Sequence, residues 1–145
     1  MREEKSCGAV VFRRQGDQLF FLLLEYFGNY FDFPKGNQEA GESEQTTARR
    51  EIDEETGVRD IRFIEGFHEP ITYFYQRENE ITHKQVTFFL AETSTEEVKV
   101  SYEHKGFRWL PYNEADATLK FANSRDILKK AHAFLEGSLL RFQKD

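Results

Sequence analysis

Three glutamates crowd the end of a segment that otherwise has every mark of a helix. From Ser43 to Thr56 the chain has good helix formers and no proline, and Gly57 stands where helices commonly stop. Successive helical residues advance by about 100°, so Glu54 and Glu55 fall about 60° to one side and about 40° to the other side of Glu51. Glu44 lies on the same side. Two carboxylates ~4 Å apart repel by roughly 4 kcal/mol at an effective dielectric of about 20. Glu54 and Glu55 also occupy the last turn, where the macrodipole disfavours anions by ~0.3–1 kcal/mol each. Two arrangements relieve this: a solvated acidic face moderated by Arg49 and Arg50, or a bound hard cation. Mg²⁺ and Mn²⁺ take oxygen ligands, and Mg²⁺ commonly combines one or two carboxylates with waters and substrate phosphates.

The rest of the chain limits what such a helix can serve. Its 145 residues fit a single domain spanning 1–145, and a 39% apolar share with fifteen Phe supplies a core. A net charge of −6 argues against non-specific nucleic-acid or membrane binding. It leaves room for a small anionic substrate, because a metal ion supplies positive charge locally. Cys7 is the only cysteine, so no internal disulfide forms, and it is expected to be a buried small hydrophobe. "MREEKSCGAVVF" lacks the pattern of a signal peptide, and "LFFLLL" is far too short to span a bilayer. A cytoplasmic monomer is the expectation.

"CGAVVFRR" and "QLFFLLLEY" are expected strands joined by "RQGDQ", and "NYFDFPKGNQEAGE" an expected loop. "IRFIEGF", "ITYFY", "KQVTFFLAE" and "GFRWL" follow as strands, with "QRENEITH" as a hairpin connection. Asn113 is expected to cap a short helix after Pro111. From Asn123 to Phe142, residues Ile127, Leu128, Ala131, Phe134 and Leu135 share one helical face. This order suggests an α/β sandwich around a mixed sheet.

The acidic helix carries a fuller pattern. Gly36, five residues, Glu42, seven residues, then "REIDEETGV" from Arg50 to Val58 resembles a complete Nudix box over 36–58. With such residue types at roughly 5–7% each, a chance match at one starting point is on the order of one in a billion, which decides against the solvated face. The resemblance implies a Nudix-type α/β/α sandwich around a mixed β-sheet and hydrolysis of a diphosphate linkage. It implies Glu51, Glu54 and Glu55 as ligands of Mg²⁺ (or Mn²⁺), with the carbonyl of Lys35 or Gly36 close by. Arg50 resembles the arginine that orients the box carboxylates, a task suited to a bidentate guanidinium. Water attacks phosphorus, with a carboxylate as general base. Glu54 is the first candidate, then Glu51, then Glu103.

Beyond the box, "CGAVVFRR", "FLLLEY", "FPKGNQEAGE", "IEGFHEPITYFY", "KQVTFFLAE" and "YEHKGFRWL" resemble the animal- and archaeal-type asymmetrical diadenosine tetraphosphate hydrolases. The likeness runs over nearly the whole chain. It implies a small-molecule dinucleoside polyphosphate as substrate, cut to ATP and AMP. Tyr73 matches a tyrosine that stacks on adenine, and Tyr75 shares its strand face. Lys84 matches a lysine near the polyphosphate, with His83 beside it. Lys35 is a further phosphate candidate, and Glu103 matches an additional metal-associated carboxylate. The chain departs from that pattern at Tyr30 or Phe31, where the family has tryptophan, at Ala40, and in the length of "ITYFYQRENEITHKQ". These changes touch the substrate rim. Two other readings stay open: another nucleoside-diphosphate-linked Nudix hydrolase, above all one that removes diphosphate from an RNA 5′ end, and a catalytically silent nucleotide-sensing module.

Overall fold

The computed structural model describes the backbone of residues 1–143 and the side chains of residues 1–137. β1 (Arg2–Gln15) takes the middle of the sheet because its apolar residues are continuous. Cys7, Ala9 and Val11 on one side and Val10 and Phe12 on the other are all fully buried, as for a strand covered on both faces. It pairs antiparallel with β2 (Gln18–Tyr26) and parallel with β7 (Glu80–Glu92). β3 (Tyr30–Asp32) and β8 (His104–Leu110) pair with β2, and β4 (Lys35–Asn37) with β1. β5 (Arg62–Phe63) and β6 (Glu69–Arg77) pair antiparallel with β7.

Two helices cover this mixed sheet. α1 (Glu44–Thr56) presses Ala48 and Ile52 against Cys7, Ala9, Val11, Leu22 and Leu24. On the opposite face, α3 (Ala122–Gln143) presses Ile127, Leu128, Ala131 and Leu135 against Val10, Phe12, Phe21, Leu23 and Phe88. The expected α/β/α sandwich is therefore present. α1 starts where Ser43 Oγ accepts from the Thr46 N–H at 3.1 Å and stops at Gly57, whose φ of 74° suits a left-handed cap.

Four local expectations differ. The loop after β2 contains β3 and β4, because Gly8 lets the chain lie close: a Cβ there would stand 2.2 Å from the Pro34 carbonyl oxygen. The β6–β7 connection is tight. Glu78 and Asn79, with φ of 51° and 65°, form the turn, and the polar residues around them are strand. Two positive φ values in succession match the twist of a two-residue hairpin, which sets Arg77 opposite Glu80 in register. Only Arg62–Phe63 of "IRFIEGF" is strand. Pro111, not Asn113, caps α2 (Tyr112–Thr118), because β8 runs directly into the helix and leaves Asn113 inside its first turn. Among the described residues no helix is long and apolar enough to cross a membrane.

Candidate active site

The acidic fan faces β4 across a gap that only glycine leaves open. A Cβ on Gly36 would lie 2.0 Å from Glu51 Cδ and 2.2 and 2.3 Å from its carboxylate oxygens. Glu51 thus fills the space of the side chain that Gly36 lacks. The register Cys7↔Gly36 and Ser6↔Asn37 fixes β4 at that distance from α1.

Arg50 is the electrostatic hub. Its Nε and Nη2 donate to the two oxygens of Glu42 at 2.7 and 3.0 Å, Nη2 also to the Asn37 carbonyl at 2.9 Å, and Nη1 to Glu51 at 2.8 Å. Nη1 also reaches Glu54 Oε2 at 3.3 Å. Only a planar fork satisfies acceptors in this many directions. These bonds hold the Glu42 carboxyl down at about 2. Arg49, which a solvated acidic face would have used as a counter-charge, instead donates to the Ile61 carbonyl at 3.1 Å and covers the Phe63 ring. Glu44 likewise turns away, to Lys5 and His68.

Glu55 is the deepest member of the fan, at 5% exposure. Burial pushes its carboxyl well above the ordinary range, and the hydrogen bond and negative charge of Glu51 push it further. The Lys35 backbone N–H, 3.4 Å from Glu55 Oε1, opposes the rise. His104 is also buried, with Nε2 3.6 Å from Glu55 Oε1 and its ring edge-on to Tyr26 at 4.5 Å. Burial lowers its pKa against the pull of Glu103, which disfavours the charged form of the imidazole beside Glu55.

Two cavities meet at Tyr26 and Lys35. One, of about 370 Å³, is lined by Glu51, Glu54, Glu55, Glu103, Gly36, Asn37 and Lys84. The other, of about 340 Å³, is walled by Tyr26, Tyr30, Tyr73, Phe121, Ile71 and Val86, with Asp32, Asn123 and Ser124 as polar members. Lys35 Nζ donates to Asp32 at 2.9 Å. Burial would lower the Lys35 pKa, but the Asp32 carboxylate overrides it and keeps the ammonium charged. Lys84 Nζ donates to Asn37 Oδ1 at 3.0 Å and lies 3.6 Å from Glu4; burial pulls its pKa down against that carboxylate.

Most of the expected residues converge here. Gly36, Glu51, Glu54, Glu55, Glu103 and Lys84 line the acidic cavity, Tyr73 the aromatic one, and Lys35 both. Tyr75 and His83 line neither. Tyr75 OH donates to Glu4, and His83 lies on the other sheet face, 2.9 Å from Glu3 Oε2 and stacked on Phe74. For His83 strand alternation is the reason: Lys84 and His83 are consecutive, so only one reaches the cleft. Sequence reasoning missed Tyr26, Asp32, Asn37 and Asn123. For Tyr26 a period-two count along β2 was the usable signal; Asn123 is placed by the docking of α3, which no local pattern encodes.

Among the described residues, no three His, Cys, Asp or Glu side chains are already drawn into a group able to hold a metal ion. The donor set nevertheless suits a hard divalent cation. The carboxylates of Glu39, Glu51, Glu54, Glu55 and Glu103 and the Gly36 backbone border one cavity, all with oxygen donors, and the glycine leaves space beside Glu51.

The family described as "NUDIX domain" matches residues 3–131. The asymmetrical bis(5′-nucleosyl)-tetraphosphatase of Sus scrofa is 34% identical over 143 residues, covering 90% of this chain and 95% of that protein. Its Caenorhabditis elegans counterpart is 31% identical over 138 residues, covering 92% and 97%. The solved binary complex of the C. elegans Ap4A hydrolase superposes with a TM-score of 0.81 at 30% identity, covering 92% of this chain and 98% of that one. A family match over most of the length, joined to a box whose Arg50 bonds glutamates that line one cavity, makes this chain a member of the Nudix family and a hydrolase.

Proposed function

We propose that the protein hydrolyses diadenosine tetraphosphate asymmetrically to ATP and AMP, using Mg²⁺ or Mn²⁺. The observation that carries this reading is the junction of an aromatic cavity with an acidic one through Tyr26 and Lys35. Dinucleoside polyphosphates combine a flat base with a charged chain, and the two cavities offer complementary surfaces in that order. The relatives named as asymmetrical tetraphosphatases support the same substrate.

Tyr73 and Tyr30 supply ring faces on which a base stacks, at ~1–3 kcal/mol per base. Lys35 and Lys84, both lining the acidic cavity, meet the polyphosphate there. Arg50 holds Glu51 and Glu54 toward the gap above Gly36. Glu54, at 57% far more exposed than Glu51 or Glu55, is the residue of the three that a water molecule reaches first, and it serves as general base. Glu51, Glu54, Glu55, Glu103 and the Gly36 carbonyl would hold a divalent cation, which would supply charge neutralisation and a more acidic water.

A panel of nucleotides and triphosphorylated RNA, incubated with Mg²⁺ and resolved by chromatography, tests this reading. Diadenosine tetraphosphate should be the best small substrate, with ATP and AMP as products. Diphosphate release from RNA with the dinucleotide left uncut assigns the site to RNA ends instead. No turnover on any member makes the domain a nucleotide sensor.

A further inference from the structure

We propose that Asn123 reads the edge of the nucleobase in the aromatic cavity, and that its amide lets the cavity take either purine. The inference rests on assigning that cavity to a base. Its polar groups differ in what remains free. Asp32 is 4% exposed and already accepts from the Phe33 N–H at 2.9 Å, the Ser124 hydroxyl at 2.8 Å and the Lys35 ammonium at 2.9 Å. Ser124 spends its proton on Asp32. The hydroxyls of Tyr30 and Tyr73 rotate to donate or accept and so discriminate little. Asn123 is different. It lies in the first turn of α3, borders the cavity, and its side-chain amide has no partner among the described residues.

A free amide presents one acceptor and a donor side by side. Adenine offers the complementary pair, an N6 amine next to N7 or N1, and asparagine bonds that kind of edge in bidentate fashion. Guanine offers O6 next to N1–H, which the same amide meets after a half-turn about its last torsion. Nothing in the structure holds the amide in one orientation, so both purines are accepted. A carboxylate at this position has acceptors only. It meets N1–H and the N2 amine of guanine together, but only the N6 amine of adenine, whose ring nitrogen would then face an anion.

The test is the affinity of AMP and of GMP, measured by titration calorimetry with Mg²⁺ present, for the wild type, Asn123→Ala and Asn123→Asp. The wild type should bind both within several-fold. Asn123→Ala should weaken both by about fivefold or more. Asn123→Asp should move the ratio toward GMP by about tenfold or more. Acidic residues suit the first turn of a helix, so this variant keeps its stability, and a helix-packing role would not reverse a base preference. An unchanged ratio in Asn123→Asp overturns the assignment, as does a wild type that binds neither mononucleotide. If the ratio moves as expected while no dinucleoside tetraphosphate is cut, Asn123 remains the base reader and the proposed substrate falls.

Discussion

Replacing Gly36 with alanine separates folding from function at the point where β4 meets α1. The added Cβ would stand 2.0 Å from Glu51 Cδ, whereas carbon atoms settle at about 3.5–4.0 Å. Glu51 must therefore withdraw by about 1.5 Å or more, or β4 must lift from β1. Withdrawal lengthens the 2.8 Å bond from Arg50, because Arg50 is fixed by two bonds to Glu42 and cannot follow. Overpacking of this kind costs about 1–3 kcal/mol of stability. The functional cost is larger: misplacing a catalytic group by about 1 Å lowers turnover by about 10²-fold. Urea unfolding would give the first number, and steady-state hydrolysis at saturating Mg²⁺ the second. A variant that folds with the stability loss above yet keeps turnover within a few-fold of wild type would refute the claim that the position of Glu51 matters.

Three further outcomes follow from named contacts. Glu55→Gln should abolish most turnover yet stabilise the metal-free protein. The native pKa of Glu55 is raised above its ordinary 4.5, so its stabilising contribution is complete below that pH and lost as pH rises toward the native value. The gain from glutamine should thus be larger near about pH 8 than near about pH 4 in chelator, and the reverse order in urea titrations would disprove the sign. Tyr73→Ala should cost ~1–3 kcal/mol of nucleotide affinity while leaving the Mg²⁺-dependent rise in melting temperature unchanged; loss of the fold instead makes Tyr73 a core residue. His83→Ala should leave KM unaltered and stability within about ±0.5 kcal/mol, and a large rise in KM would return His83 to the cleft.

The carboxylate fan was legible because helical geometry is local. Knowing that a helix runs between the caps Ser43 and Gly57 is enough to place Glu51, Glu54 and Glu55 on one face. What the fan faces was not local: Gly36 reaches Glu51 through pairing with Cys7, which depends on Gly8 admitting the chain nearby. Tyr75 and His83 show where strand reasoning stops. Alternation put Tyr75 on the face of Tyr73, but it reached Glu4 rather than the cavity, and His83 was grouped with Lys84 despite pointing oppositely. Arg49 and Arg50, adjacent in sequence and alike in chemistry, part company because a helix turns by about 100° between them. The aromatic cavity was the least legible feature. Tyr26, Tyr30, Tyr73, Phe121 and Asn123 come from four elements and a connection, and only the docked sheet and α3 bring them together.

The most direct test of the proposed reaction is hydrolysis of diadenosine tetraphosphate in heavy-oxygen water with Mg²⁺, with products separated and weighed by mass spectrometry. In the proposed reading one adenosine lies in the cavity that Tyr73 lines and the adjoining phosphates in the one that Lys35 and the box glutamates line, so attack is expected at the phosphorus nearest that adenosine. ATP and AMP in equal amounts, with the label predominantly in AMP, is the predicted result. Two molecules of ADP, or label carried chiefly by ATP, would contradict it.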